Sequence, residues 1–426
     1  MHALLPHIPG LLAAGDPLFK DGVDFAVVLI VAVKTLLTFV VFLVSVMLMV
    51  WFERKVHADM TNRIGPNRAG PWGILQTLAD GIKAFFKEAS IPANADRVVF
   101  KIAPYLALVP ALLIFTIVPL SVGTVNVFGH QTRLQLADPP MGILFMLACT
   151  GIAVYGIMLA GWASGSKYPL LGSVRASAQM VSYEATLGLI IAMVVLHTGS
   201  LLTSDIVGVQ AGRGFAGVLP NWNLLRLGFV PFILYIIAGT AEANRPPFDL
   251  VEAEQELVGG FHTEYAGIGF ALYYLAEFGN TVTLSTVIVT LFLGGPAGPT
   301  FATTGWAAAG IGFVWFFLKT LCFLFLQAWF RATLPRLRYD QLMDLGWKKL
   351  TPLSLLWLLG LASIKATEGD ALGHRVVVFA AFVAGALATW AALGRAVAVG
   401  RARTNDEVAR SMGAARTRNA RKEVAR

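Results

Sequence analysis

The stretch that decides the fold comes early: residues 25–52 read FAVVLIVAVKTLLTFVVFLVSVMLMVWF, and Glu53-Arg54-Lys55 follow directly. About 20 mostly apolar residues suffice for a helix to cross the hydrocarbon core of a bilayer. This run is too long for the apolar part of a cleaved signal peptide, and charged residues follow it where a small-residue cleavage site would stand. The stretch therefore predicts a transmembrane helix that stays in the protein.

The composition of the whole chain agrees with a membrane location. Of 426 residues, 56% are apolar and 14% are charged, and the mean hydropathy is +0.68. Soluble domains carry about 25% charged residues, so a large soluble enzyme or a nucleic-acid-binding protein is excluded in spite of the net charge of +8. Nine Lys or Arg against three acids in residues 395–426 supply six of those charges. The chain is a membrane protein with a basic tail.

Eight further apolar stretches predict an all-α integral membrane protein. The nine predicted spans are residues 25–52, 100–122, 141–163, 176–198, 226–242, 266–293, 306–330, 350–366 and 374–395. With the N-terminus outside, the inside segments hold 24 Lys or Arg and the outside segments six. By the positive-inside rule, residues 1–24 are therefore expected outside and the tail, residues 396–426, in the cytoplasm.

The first inside loop contains Asn62-Arg63-Ile64-Gly65-Pro66-Asn67-Arg68, and its Gly and Pro residues favour irregular backbone. After it, apolar residues recur at helical spacing and predict an amphipathic helix in the membrane interface. These residues are Ile74, Leu78, Ile82, Phe85 and Phe86. On periodicity alone, a plain membrane-surface anchor explains this helix equally well.

The fifth span ends in Glu242-Ala243-Asn244-Arg245-Pro246-Pro247-Phe248-Asp249, and an acidic loop continues to residue 265. Since the residue before a proline avoids helical angles, the helix is expected to end near Arg245. Glu242 then lies at a helix C-terminus, an unfavourable position for a carboxylate. Arg245, three residues on, is the predicted partner, and a purely structural ion pair is the alternative.

Two acids lie deeper in predicted spans, Glu184 in the fourth and Glu277 in the sixth. An ionised acid at the bilayer centre costs about 2.5–3.5 kcal/mol on insertion scales, so such residues usually face a cavity or belong to a proton relay. Lys319 invites the same argument, whereas Lys34 and Lys101 are expected to extend to nearby lipid headgroups. Together with Arg245, Lys319 is a plausible cation for these acids.

Three motifs carry a resemblance to a known family. They are Gly161-Trp162-Ala163-Ser164-Gly165-Ser166-Lys167-Tyr168, Glu242 to Asp249, and Arg336-Leu337-Arg338-Tyr339-Asp340-Gln341-Leu342-Met343. With the run 53–88 they resemble a membrane subunit of respiratory complex I, which is called the H subunit in bacteria and NADH dehydrogenase subunit 1 in mitochondria. The resemblance covers residues 25–366, an eight-helix core, so a ninth helix at 374–395 and the tail extend beyond it.

The resemblance implies a membrane-side wall of a quinone chamber and a chain of carboxylates that links the chamber to proton-translocating subunits. The implied chamber residues are Arg54, Arg63, Asp80, Lys83, Arg245, Phe248 and Arg331. The implied proton-relay carboxylates are Glu184, Glu242, Glu252, Glu254, Glu264 and Glu277. The sequence departs from the family in the third span, where some members have a further glutamate and this chain has Thr150-Gly151-Ile152.

The same resemblance implies ubiquinone or menaquinone as substrate. It also implies hydrophilic-arm subunits with the quinone site and the terminal iron–sulfur cluster, small and antiporter-like membrane subunits, and lipid as partners in a bacterial plasma membrane. No nucleic acid, metal, flavin or iron–sulfur cluster is expected on this chain. Its two cysteines, Cys149 and Cys322, lie in apolar runs, and such a cluster usually needs four thiolates. The homologous subunit of a membrane-bound hydrogenase or ferredoxin-driven complex, and a stand-alone cation or proton transporter, remain alternatives.

Overall fold

Long apolar helices make up most of the protein. The computed structural model describes residues 16–19, 22–212, 221–250, 257–299 and 305–367, with single positions beyond 376. The helices are α1 (Phe25–Met60), α2 (Gln76–Phe86), α3 (Arg97–Thr116), α4 (Gly142–Ala163), α5 (Lys167–Thr198), α6 (Thr203–Ala211), α7 (Asn223–Arg226), α8 (Phe229–Glu242), α9 (Gly267–Phe292), α10 (Gly305–Thr333), α11 (Tyr339–Leu345) and α12 (Thr351–Ala366).

Seven helices within the described part of the chain are long and apolar enough to cross a membrane. They are α1, α3, α4, α5, α9, α10 and the continuous stretch Tyr339–Ala366, in which a π-helical turn, Gly346–Leu350, joins α11 to α12. An eighth apolar helix, α8, has 14 residues. The all-α membrane fold predicted from the sequence is therefore confirmed. The predicted ninth span and the basic tail lie outside the described residues.

Four predicted boundaries were wrong by six residues or more. Helix α3 ends at Thr116 instead of residue 122, and the last described span begins at Tyr339 instead of residue 350. The other two concern α1 and α5. Helix α1 continues to Met60 instead of ending at residue 52, so Glu53, Arg54 and Lys55 are helical. Helix α5 begins at Lys167 instead of residue 176. In both cases the helix extends past the apolar stretch that hydropathy detects, because polar residues also sustain helical hydrogen bonding where the chain leaves the lipid.

The predicted amphipathic helix is present as α2. Its apolar side chains Leu78, Ile82, Phe85 and Phe86 are exposed in this chain. Helix α2 touches α1 and α9, so it lies beside the point where those spans end.

Helix α9 is the most buried of the seven spans and packs against α1, α3 and α10. Helix α4 packs between α3 and α5. Gly156 of α4 permits a close approach to α3, because a Cβ there would come within 2.5 Å of the Ala107 backbone nitrogen. Small residues serve this purpose between membrane helices, where lipid removes the hydrophobic driving force for association.

A short antiparallel hairpin, β1 (Val125–Val127) and β2 (His130–Thr132), follows α3. Beside it, Lys34 Nζ donates to Asp16 Oδ2 at 2.8 Å and to Thr132 Oγ1 at 3.0 Å. The expectation that Lys34 extends to lipid headgroups was therefore wrong. Lys101 is exposed, as a residue reaching a headgroup would be.

Residues up to Leu355 form one compact unit, and a second unit begins at Leu356. All contacts discussed below lie within the first unit. The described part of the second continues α12 to Ala366.

Candidate functional site: a buried acid and arginine cluster

A small cavity of about 50 Å³ lies among α3, α4, α5, α8 and α9. Most of its wall is apolar, formed by residues such as Ala107, Ile157 and Met180. The polar side chains on the wall are Thr150, Glu242, Asn244, Glu277 and Asn280. The cavity thus brings two of the acids predicted from the sequence to one space in the interior.

Glu242 is the last residue of α8 and is fully buried. Neither of its carboxyl oxygens has a hydrogen-bond partner among the described residues. The predicted pairing with Arg245 was wrong, because the chain turns sharply through Asn244, at φ 53°, and directs Arg245 elsewhere. Glu242 is therefore an acid that faces the cavity and is not neutralised by the arginine three residues on.

Arg245 instead lies in a cluster with acids from two other helices. Its Nη1 is 3.2 Å from Glu53 Oε2, and its Nε is 3.6 Å from Glu277 Oε1. Arg331 Nη1 also binds Glu53, at Oε1. The guanidinium of Arg245 lies 4.0 Å from the ring centroid of Phe278, a cation–π geometry.

This arrangement joins α1, α9 and α10 to the loop after α8. The side chains of Glu53 and Arg245 are each 5% exposed, whereas that of Arg331 is 45% exposed. The cluster therefore runs from the cavity acid Glu277 to a cation that reaches the surface. We call the end of the helices that carries this cluster the loop face.

Glu184 lies half-buried on α5. The Thr150 hydroxyl is 3.3 Å from its Oε1. A Cβ on Gly151 would come within 3.2 Å of the same oxygen, so residues 150 and 151 of α4 both face Glu184. The Thr150 hydroxyl also lines the cavity.

The first part of the acidic loop is held by side chains from α5 and from the segment after α10. Gln179 Nε2 donates to the carbonyls of Ala241 and Phe248, at 2.8 and 2.9 Å. Arg336 Nη2 donates to Asp249 Oδ2 at 3.0 Å. Phe248 is buried, and the centroid of its ring lies 5.7 Å from the centroid of the Tyr183 ring. Phe248 is thus a packed side chain behind the loop.

Among the described residues, Glu264, a further predicted acid of this loop, does not line the cavity. Glu252 and Glu254 lie outside the described residues, and Glu264 is half-buried in the turn before α9. Nearby, burial lowers the pKa of His262 to about 4, although Asp249 acts in the opposite direction. Burial raises the pKa of Tyr265 to about 12, partly offset by its hydrogen bond with Tyr273.

A second, exposed group of predicted residues lies where α1 and α2 meet. Arg54 Nη1 donates to Asp80 Oδ2 at 2.8 Å, and both side chains are about 40% exposed. Gln76 Nε2 donates to the other carboxyl oxygen of Asp80. Arg63 and Lys83 are exposed and are not brought into this pair.

Comparison with known proteins identifies the family. The family described as NADH dehydrogenase matches residues 33–362. The NADH-quinone oxidoreductase H subunit of Frankia alni is 48% identical over 342 residues, which cover 80% of this chain and 74% of the relative. The chain belongs to the family of NADH-quinone oxidoreductase H subunits.

Two further H subunits are similar to the same extent. The one from Frankia casuarinae is 47% identical over 84% of this chain and 77% of its own length. The one from Streptomyces avermitilis is 46% identical over 80% and 74%. The family match ends at residue 362, within α12, so the predicted ninth helix and tail lie beyond it.

Sequence reasoning about this member of the H-subunit family missed Glu53, Gln179 and Tyr183. Glu53 looked like the first residue of a polar loop, yet it is the acid that two arginines share. The available signal was its position directly after a long apolar run. If the helix continues by another turn, this residue lies on the helix and can contact the neighbouring helices.

Proposed function

We propose that the chain forms the membrane-side part of a quinone chamber and supplies the carboxylate link that couples quinone reduction to proton pumping. Family membership makes it a membrane subunit of an NADH-quinone oxidoreductase, and its spanning helices make it a multi-pass membrane protein. The observation that carries the finer proposal is Glu242, a fully buried acid without a hydrogen-bond partner among the described residues, on the wall of a cavity that also reaches Glu277.

The chamber wall is proposed at the loop face, where α1, α2 and α10 end. A quinone needs an apolar path for its isoprenoid tail and a few polar groups for its headgroup. The exposed apolar side chains of α2 suit the tail, and the Arg54–Asp80 pair and Arg331 suit the headgroup or its approach. Arg63 and Lys83 are proposed for the entrance, because both are exposed beside this surface.

The coupling is proposed to be electrostatic. When a quinone gains electrons, negative charge develops near Arg331 and competes with Glu53 for that guanidinium. Since Glu53 also holds Arg245, a weaker contact with Arg331 changes how firmly Arg245 is held beside Glu277. Opposite charges within about 4–6 Å favour the charged form of a carboxyl group. Redox chemistry at the surface can in this way alter proton affinity in the cavity.

From the cavity, the proposed path continues through Glu242 and the Thr150 hydroxyl to Glu184. Glu184 is half-buried, so in the assembled enzyme its carboxyl group can meet a neighbouring membrane subunit. Glu252, Glu254 and Glu264 are proposed to extend the carboxylate chain toward the chamber. Cytoplasmic loops, with the N-terminus outside, would face the hydrophilic-arm subunits that carry the quinone site and the terminal iron–sulfur cluster.

Replacement of each acid by glutamine tests the relay, because glutamine keeps the shape and the hydrogen-bonding capacity but cannot titrate. We expect Glu184→Gln, Glu242→Gln and Glu277→Gln to assemble and to lose coupled turnover, with Glu242→Gln reduced about tenfold or more. The assay is NADH-driven quinone reduction with a pH-gradient dye in membrane vesicles.

Glu88→Gln is the matched control, since Glu88 is exposed on the same protein. NADH:ferricyanide activity, which bypasses quinone, reports whether the hydrophilic arm is still attached. If all three glutamine variants reduce quinone and pump at wild-type rates, the acids are structural and the relay is wrong.

A further inference from the structure

Lys319 is a charged residue in the middle of α10 whose ammonium group is held by backbone carbonyls. Its Nζ donates to the carbonyls of Leu293, Gly295 and Ala297, at 2.7, 2.9 and 2.6 Å. The ring of Trp222 lies 5.4 Å away, within cation–π range. The expectation that Lys319 pairs with an acid was therefore wrong. All three donors of the ammonium group are used by main-chain oxygens.

The segment that forms this carbonyl cage is the irregular chain after α9. Gly294 and Gly295 have φ values of 71° and 53°, and both are buried. The last carbonyls of α9 itself are satisfied by two neutral amides. Gln210 Nε2 donates to Thr290, and Asn223 Nδ2 donates to Leu291. The carbonyl groups at the end of α9 and in the segment after it are thus bound by two neutral side chains and one cation.

These bound carbonyl groups lie at the C-terminal end of α9, the helix that carries Glu277. A second, smaller cavity of about 10 Å³ lies there between Ile117, Met146 and Thr290, beside α4 and α9, which also line the acid-bearing cavity. Along α9 the two cavities are separated by about two turns, from Asn280 to Val287. The buried residues 281–286 of α9 thus separate the acid-bearing cavity from the space at the opposite end of the helix.

The negative end of the α9 dipole and the bare carbonyls of residues 293–297 would attract any cation at this place. A fixed positive charge does the reverse: it occupies the carbonyls and repels a second cation, as the charged constrictions of proton-excluding pores do. We propose that Lys319 is an electrostatic seal that prevents protons from leaking between the opposite face and the acid-bearing cavity. This inference rests on the proposed proton-coupling function.

The test is passive proton leak through the complete enzyme in liposomes, without NADH and with the membrane potential clamped by potassium and valinomycin. A trapped pH dye records the decay of an imposed pH step. Lys319→Gln keeps hydrogen-bond donors for the cage but removes the charge, and we expect it to leak at least about threefold faster than wild type. Lys319→Arg, which keeps the charge, should stay close to wild type. With NADH and an uncoupler present, quinone reduction by Lys319→Gln should be unchanged.

Gln210→Leu is the matched control, because it removes a neutral cap from the same helix end. Equal leaks in Gln210→Leu and Lys319→Gln would show that packing, not charge, closes the path, and would overturn the proposal. A leak in Lys319→Gln no faster than in wild type would overturn it as well.

Lys319→Met is a second neutral variant in case Lys319→Gln does not assemble. Loss of assembly in both neutral variants, with Gln210→Leu intact, would make the cage a structural element and reject the seal. Glu242→Gln separates this inference from the proposed function: normal pumping by that variant refutes the relay, whereas the leak assay needs no turnover.

Discussion

The partners of Arg245 decide how the buried charges of this protein are arranged. Sequence spacing suggested Glu242, three residues away, but the structure pairs Arg245 with Glu53 and Glu277, 192 and 32 residues away along the chain. Spacing along a helix predicts only local contacts, and here the helix ends before Arg245 is reached. That the acids within the predicted spans are candidates for a functional site could be predicted from the cost of burying a charge. Their partners could not, because they are set by the packing of distant helices.

Glu53→Gln tests the role of the shared acid. Removing one partner of a buried ion pair leaves an uncompensated charge and costs about 3–5 kcal/mol. Arg245 would lose its closest carboxylate and lie near Arg331 without the acid between them. We therefore expect less assembled complex in the membrane and faster thermal inactivation, measured on native gels and by residual NADH:ferricyanide activity.

A double-variant cycle separates this charge effect from a general packing defect. Arg331→Gln added to Glu53→Gln removes one of the two cations that Glu53 neutralises. The pair should be more stable than the sum of the single effects predicts, because coupled residues are not additive. Additive losses would show that the two residues do not interact in the assembled enzyme.

At the scale of elements, apolar stretches located the spans but not their ends. Residues 53–60 and 167–175 are polar enough to look like loops, yet both are helical and both carry residues of the candidate site or its surroundings. The α2 helix was predictable from its apolar period alone, since the described part of the chain leaves its apolar side chains uncovered. The salt bridge that joins α1 to α2 was not, because it depends on the extra turns of α1.

Arg54→Ala and Asp80→Ala test whether this α1–α2 contact borders the chamber. The pair is largely exposed, and such pairs contribute about 0–1 kcal/mol to stability. Both variants should therefore insert and assemble, while quinone reduction falls and NADH:ferricyanide activity persists.

The Asp344–Lys348 pair of the same chain is the matched control. It is a 2.7 Å bridge with side chains 59% and 70% exposed, in residues that are not proposed for the chamber. Asp344→Ala and Lys348→Ala should leave quinone reduction unchanged. Normal quinone reduction in both Arg54→Ala and Asp80→Ala would count against the chamber assignment.

At the scale of the whole molecule, the two ends of the proposed proton path carry different arrangements of charged groups. At the loop face, arginines and acids are joined in pairs that a change of charge can shift. At the opposite end of α9, the Lys319 ammonium group is held by three backbone carbonyls. The distribution of charge along α9 and its neighbours thus fits a path that is driven from the loop face.

We expect the basic tail, which falls outside the described residues, to be dispensable for turnover. It lies beyond residue 362, where the family match ends, and it is rich in Arg with Ala, Asn and Thr and without a sustained apolar stripe. Each basic residue near an anionic leaflet contributes about 1 kcal/mol to membrane association, so we expect the tail to add affinity for lipid or a neighbouring subunit. A chain truncated after residue 398 should assemble and reduce quinone at the wild-type rate in native membranes.

Truncation after Leu350, which removes α12, is the contrasting variant and should abolish assembly. Loss of quinone reduction in the assembled 398-residue variant would show that the tail takes part in catalysis.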